Sequence, residues 1–228
     1  MFDPILTGVS FLIAILVGST GIGGLLLAPA ITLYSDVPIH VALPASMLAL
    51  LFSGIVGTVV FGGKGSIRWA DALPLAVGAA PGAFLGSFTF SLMPAGKIQL
   101  IIAVLAVVSG ANSTYRANRP GSVARSLGPW TLLAVGMGTG FLSALTGSSG
   151  PMVLLPILLW MSLNVVEAVG LAQVVQIPVG LFATAGNLTF GRVDLALSAL
   201  FVGPVVAVSV IFAIMAHRLS TGALKVGA

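Results

Sequence analysis

Two short glycine-rich stretches hold the residues best able to do chemistry. The first, "LVGSTGIGGLLLAP" (16–29), sets the hydroxyls of Ser19 and Thr20 beside Gly21, Gly23 and Gly24. The second, "LTGSSGPMVLLP" (145–156), sets Thr146, Ser148 and Ser149 beside Gly150. Glycine admits positive φ and lets backbone approach a guest closely. Each run leads into an apolar segment, and a helix beginning there offers unbonded N–H groups and the positive end of its dipole. The combination predicts an anion site built from amide hydrogens and hydroxyls, with no cationic side chain. Pro151 suits the first turn of the second of these helices.

Further polar residues stand on the apolar runs that follow. In "GLAQVVQIPVG", Gln173 and Gln176 are three residues apart and so share a helix face. The corresponding run "LPASMLALLFSG" offers Ser46 and Ser53. A glutamine between membrane helices often does no more than bridge them; two on one face near a glycine knot favour contact with a substrate. Asn187, near the end of its run, reads as an interfacial cap.

The remaining titratable groups narrow the possibilities. Asp36, Asp71, Glu167, Asp194, His40 and His217 fall near the ends of apolar runs, where Asp71 and Asp194 follow Arg68 and Arg192 as local ion pairs. No carboxylate falls in mid-run, where a proton or sodium carrier normally shows one. There are no cysteines, which excludes disulfides, thiol nucleophiles and thiolate metal sites. No metal site and no cofactor is expected. Gly136 and Gly140 in "GMGTG" lack the preceding strand and following acid of a dinucleotide site. A serine hydrolase built on Ser149 would have only His217 as base, at the far end of a run beside Arg218. The chain is therefore expected not to be an enzyme.

These residues have to be positioned by elements that live in lipid. The 228 residues are 58% hydrophobic and 6% charged, against about 25% charged in a soluble domain, and the mean hydropathy is +1.18. The net charge of +4 is spread between apolar runs, a pattern of membrane orientation rather than nucleic-acid binding. Runs at 39–62, 70–92, 97–115, 166–188 and 194–217 suffice to cross a core of about 30 Å at about 1.5 Å per residue. Those at 5–17, 24–34 and 150–162 are too short to cross alone. Each glycine knot therefore joins two half-elements, as one broken helix or a re-entrant pair. The acid in "MFDPILTGVS" argues against a cleaved leader.

The order knot, proline, long run, short loop, long run occurs twice. A shift of 127 places Gly23 on Gly150, Leu27 on Leu154, Pro29 on Pro156 and Ala45 on Ala172. A shift of 126 places Gly65 on Gly191, Ala70 on Ala196 and Gly96 on Gly222. The expected fold is thus an all-α polytopic membrane protein of two inverted repeats, each a broken or re-entrant helix pair followed by spanning helices. The first repeat takes 1–115, a basic cytoplasmic linker 116–129, and the second repeat 130–228. The second ends without a counterpart to 97–115, so a further helix is expected beyond this sequence. With re-entrant pairs, Lys64, Arg68, Arg116, Arg119, Arg125, Arg218 and Lys225 fall on the cytoplasmic side and only Lys97 and Arg192 outside, the better fit to the excess of basic residues inside. "VGAAPGAFLGS" spaces Gly78, Gly82 and Gly86 four apart, a smooth strip for another helix.

The sequence resembles the sulfite exporter TauE/SafE family. "GSTGIGGLLLAPAIT", "VALPASML" and "GSIRWADALPLAVGAAPGAFLGS" carry the likeness, with weaker copies at 146–156 and 191–206, over nearly the whole chain. The second knot departs from a full glycine cluster at Ser148, Ser149 and Pro151. The resemblance implies a transporter in the bacterial inner membrane, moving sulfur-containing anions such as sulfite, sulfoacetate or other sulfonates, with export as the direction. The residues themselves suggest alternating access around a site between the knots, its partners a small anion and the lipid bilayer. A passive anion channel and a non-transporting assembly factor are the alternatives.

Overall fold

The computed structural model describes residues 28–29, 32–33, 37–116, 128–161, 163, 165–191, 193–194, 197–199, 202–207 and 210–211. Six helices organise them: α1 (Ile39–Gly63), α2 (Trp69–Leu92), α3 (Ala95–Arg116), α4 (Pro129–Thr146), α5 (Gly150–Trp160) and α6 (Val165–Phe190). No strand occurs among the described residues. Helices α1, α2 and α6 are long and apolar enough to cross a bilayer. The described residues are those of an all-α membrane protein.

These helices are apolar all round, as lipid requires. Pro44, Pro74, Pro81, Pro156 and Pro178 lie inside them, tolerable in the membrane where neighbouring helices reconcile the freed carbonyls. Gly65 takes φ +66 in the turn from α1 to α2, its N–H donating to the Gly62 carbonyl at 3.0 Å. Arg68, just before α2, pairs with Asp71 at 3.1 Å, as the sequence suggested. Its side chain is 47% exposed, and exposed pairs contribute little. Asp71→Asn is expected to move apparent stability by less than about 1 kcal/mol, checked by thermal denaturation in detergent. Asp194 accepts the Leu197 N–H at 2.9 Å, the bond of a helix N-cap; its expected partner Arg192 lies outside the described residues.

Small residues set which helices touch and in which direction they run. A methyl group at Gly78, Gly82 or Gly86 of α2 would strike the carbonyls of Leu133, Met137 and Phe141 of α4. Reciprocally, one at Gly136 or Gly140 of α4 would strike the carbonyls of Leu75 and Ala79. Partner numbers rise together, so α2 and α4 are parallel, with backbone laid against backbone. The glycine strip read from sequence is a helix-packing surface, as expected.

Helix α6 also runs parallel to α2. Gly170 packs on Ser66 and Ile67 at one end, and Gly186 on Ser87 and Phe84 at the other. Phe190 closes the far end edge-on to Phe84 and Phe88, with ring centroids 5.4 and 5.0 Å away. Helix α1 is antiparallel to α6, since Gly57, Gly54 and Leu51 meet Gln173, Gln176 and Gly180 in turn. Helix α5 starts beside Gln176 and ends just before α6 begins, so it too is antiparallel to α6.

Two apolar clusters fill the interior. One gathers Leu43, Met47, Leu50, Phe90, Ile98, Ala144 and Ala183, the other Leu75, Leu132, Leu154, Leu158, Leu171 and Val175. Large apolar side chains such as Val59, Val77, Leu85, Val107, Leu181 and Leu188 point outward, toward what in this protein is lipid.

Candidate functional site

The second glycine knot joins α4 to α5 and is buried throughout. Thr146, Ser148 and Ser149 are at most 1% exposed. Helix α4 ends because Gly147 turns into the left-handed region at φ +69, the usual role of glycine after a helix. A side chain there would also strike Leu43 of α1. The Thr146 hydroxyl donates to the Leu142 carbonyl at 2.7 Å, and its oxygen lies 2.9 Å from Ser148 Oγ. Ser149 then extends to φ −67, ψ 144 and caps α5 with its backbone: its carbonyl accepts the Met152 N–H at 3.0 Å.

The first N–H of α5 meets a side chain. Gly150 N–H donates to Gln176 Oε1 at 2.6 Å. The same carboxamide donates from Nε2 to the Leu50 carbonyl at 3.0 Å. One glutamine thus ties α5, α6 and α1 together. Gln176 and Leu50 are each the twelfth residue of helices 26 and 25 residues long, so the junction sits at mid-height. A carboxamide keeps one N–H and one lone pair beyond these two bonds.

Two glycines of α1 make room for the glutamines. A side chain at Gly54 would overlap the stem of Gln176, and one at Gly57 the carboxamide of Gln173. This cradle was not among the sequence-derived site residues. Its signal was present as a Gly-x-x-Gly step on α1 matching the Gln-x-x-Gln step on α6, visible only once the two helices are known to run antiparallel.

Of the residues expected at the site, Gly150 and Gln176 meet directly and Thr146 meets Ser148 two residues on in the same buried turn, with Gln173 one turn from Gln176 along α6. Ser46 lies one turn from Leu50 on the same face of α1, with its hydroxyl donating to the Leu43 carbonyl at 2.7 Å. Ser19, Thr20, Gly21, Gly23 and Gly24 lie outside the described residues. Asn187 needs correction: it is no interfacial cap, being 1% exposed. It belongs to the inward face of α6 that runs Gln173, Gln176, Gly180, Thr184, Asn187, at helical spacing.

The arrangement can bind without charge. Lys64, Arg68 and Lys97 stand at or just outside helix ends, so none reaches mid-height. What mid-height offers is the N-terminus of α5, serine and threonine hydroxyls and carboxamide N–H groups. Those are donors suited to a small oxyanion.

Comparison with known proteins agrees with this setting. The family model described as Sulfite exporter TauE/SafE matches residues 6–228. The chain is 28% identical over 193 residues to the "Probable membrane transporter protein YdhB" of Bacillus subtilis (strain 168), covering 82% of this chain and 79% of that one. It is 32% identical over 108 residues to the "Probable membrane transporter protein YunE" of the same organism, covering 47% and 40%. No solved structure matches it significantly.

Proposed function

The chain belongs to the sulfite exporter TauE/SafE family of membrane transporters, and from that premise we propose that it is a secondary transporter of small sulfur oxyanions or sulfonates. The observation that carries the reading is the Gly150–Gln176 junction: a buried helix start at mid-height whose N–H is held by an uncharged side chain. The Gln176 oxygen occupies the position an oxyanion would take. Substrate displaces it, gains the Gly150 N–H, and finds the freed carboxamide N–H and the hydroxyls of Ser148 and Ser149 around it. By the sequence repeat, the same role falls to Ser19, Thr20, Gly21, Gly23 and Gly24 of the first knot, which lie outside the described residues. Binding through neutral donors keeps release easy, which transport requires.

Helix directions support a re-entrant reading of the second knot. Helices α4 and α6 are both parallel to α2 while α5 opposes α6, so α4 and α5 form a pair that enters and leaves on one side. All three tryptophans then fall at that side: Trp69 and Trp130 at the starts of α2 and α4, Trp160 at the end of α5, all exposed. Aromatic residues favour the headgroup level. Lys64 and Arg68 share that level, which makes it cytoplasmic by the positive-inside rule. The antiparallel pairing of α1 with α6, the corresponding runs of the two repeats, supports inversion of one repeat relative to the other. The setting proposed is the bacterial inner membrane, with rocking of one repeat against the other exposing the site alternately.

Counterflow of radiolabelled sulfite and of a sulfonate in proteoliposomes tests the proposal. Saturable exchange stimulated by unlabelled anion inside is the expected result. Non-saturating flux would make the protein a channel, and no flux of either anion would end the transport reading.

A further inference from the structure

A second set of buried polar groups lies apart from the knot and is not explained by it. Thr139 and Ser143 on α4 are 1% and 0% exposed, and Thr184 and Asn187 on α6 are 8% and 1%. Thr139 Oγ1, Ser143 Oγ, Thr184 Oγ1 and both amide atoms of Asn187 have no hydrogen-bond partner among the described residues. Their neighbours do otherwise: Thr146 and Ser46 both turn their hydroxyls onto carbonyls of their own helices. Buried polar groups are almost always paired with protein, water or a ligand.

Helix register sets the four as two pairs at adjacent levels, one turn apart. Gly86 of α2 meets Phe141 of α4, and the adjacent Ser87 meets Gly186 of α6. Since α4 and α6 both run parallel to α2 and touch each other, Ser143 stands level with Asn187 and Thr139 level with Thr184. Each pair member recurs at helical spacing, four apart on α4 and three apart on α6, so each helix presents its two groups on one face.

The local field selects the sign of the guest. Ser143 is in the last turn of α4 and Asn187 in the last turn of α6, the negative ends of two parallel dipoles. Three hydroxyl oxygens and one carboxamide oxygen are hard, neutral ligands suited to an alkali cation. A divalent ion would call for carboxylates, and no group of three acidic, histidine or cysteine side chains gathers among the described residues. We propose that Thr139, Ser143, Thr184 and Asn187 form a binding site for a monovalent cation of sodium's size. This goes beyond the anion site and stands independently of it. In this proposal helix ends and neutral oxygens take the place of the mid-membrane carboxylate that a sodium carrier normally shows. A cation held a few residues from the anion loop is placed to couple its movement to the anion's.

Thermal denaturation of the purified protein tests this without any transport. Melting is followed in sodium chloride titrated against N-methyl-D-glucamine chloride at constant ionic strength, since a ligand that binds the folded state raises the melting temperature. Sodium is expected to raise it saturably. Thr184→Val and Ser143→Ala keep shape while removing one oxygen each. They are expected to melt in N-methyl-D-glucamine no lower than the parent, and to shift half-saturation by sodium upward about 10-fold or more, as loss of a metal-site group does. Equal melting of the parent in both salts, or an unchanged sodium response in both variants, would overturn the site. Anion counterflow with no sodium response leaves the transporter reading standing and removes this one; a sodium response lost in the variants, without anion flux, does the reverse.

Discussion

Gln176→Leu is expected to reduce oxyanion counterflow roughly 10- to 100-fold while the protein still inserts and purifies as a single species. The leucine fills similar volume but leaves the Gly150 N–H without the partner it has at 2.6 Å and withdraws the carboxamide that would embrace a substrate. A hydrogen bond to a charged guest is worth about 1.5–3 kcal/mol, and each 1.4 kcal/mol is about a factor of ten in rate. Gln176→Glu separates the two parts of that loss. Its carboxylate still accepts the Gly150 N–H, more tightly than an amide does, so the bond to α5 persists while the one to the Leu50 carbonyl of α1 is lost. It also sets negative charge where the anion has to enter, so flux is expected to fall at least as far as in the leucine variant. Proteoliposome counterflow, normalised to reconstituted protein, reads both. Glutamate flux at or near the parent's would mean that Gln176 only bridges helices.

The second large effect concerns folding. Gly140→Leu is expected to abolish recovery of folded protein, because the α2–α4 contact is backbone on backbone and the Ala79 carbonyl leaves no room for a side chain. Overpacking usually costs about 1–3 kcal/mol where side chains can yield; here helix axes have to separate, and the loss should exceed about 4 kcal/mol, the range reserved for such failures. Gly138, two residues earlier on the same helix, has open space around it. Gly138→Ala is therefore expected to be neutral or to stabilise by up to about 1 kcal/mol through helix propensity. Size-exclusion profiles of fluorescent fusions compare the two directly. A monodisperse Gly140→Leu protein would show that the helices do not meet as described.

Composition and run length were enough to read an all-helical membrane chain, and the four-residue spacing of Gly78, Gly82 and Gly86 was enough to read a packing strip. The partner of that strip was not legible. Gly136 and Gly140 resemble a nucleotide fingerprint only superficially, and a spacing of small residues says that something approaches closely but not which helix does. The Gly54–Gly57 cradle was hidden for a related reason: repeat alignment sets Gln173 on Ser46, whereas contact across antiparallel helices sets it on Gly57. Asn187 differs from its sequence expectation because position near a helix end resembles exposure, and only three-dimensional packing distinguishes an inward face from an interfacial one. The knot itself was read correctly as a break, but that Gln176 bonds its first N–H depends on α6 passing at the right height, which local sequence does not encode.

The two helix seams differ in mechanical character. Where α2 meets α4, one helix from each repeat, carbonyls rest on glycines and there are no rotamers to exchange, so this seam suits a pivot rather than a sliding surface. Where α1 meets α6, long glutamine side chains with several torsions lie across glycine hollows, a joint that can slip by re-seating two amides without opening a void. In the proposed alternating access, sliding would fall to the glutamine joint, with the glycine seam as the pivot about which one repeat turns on the other.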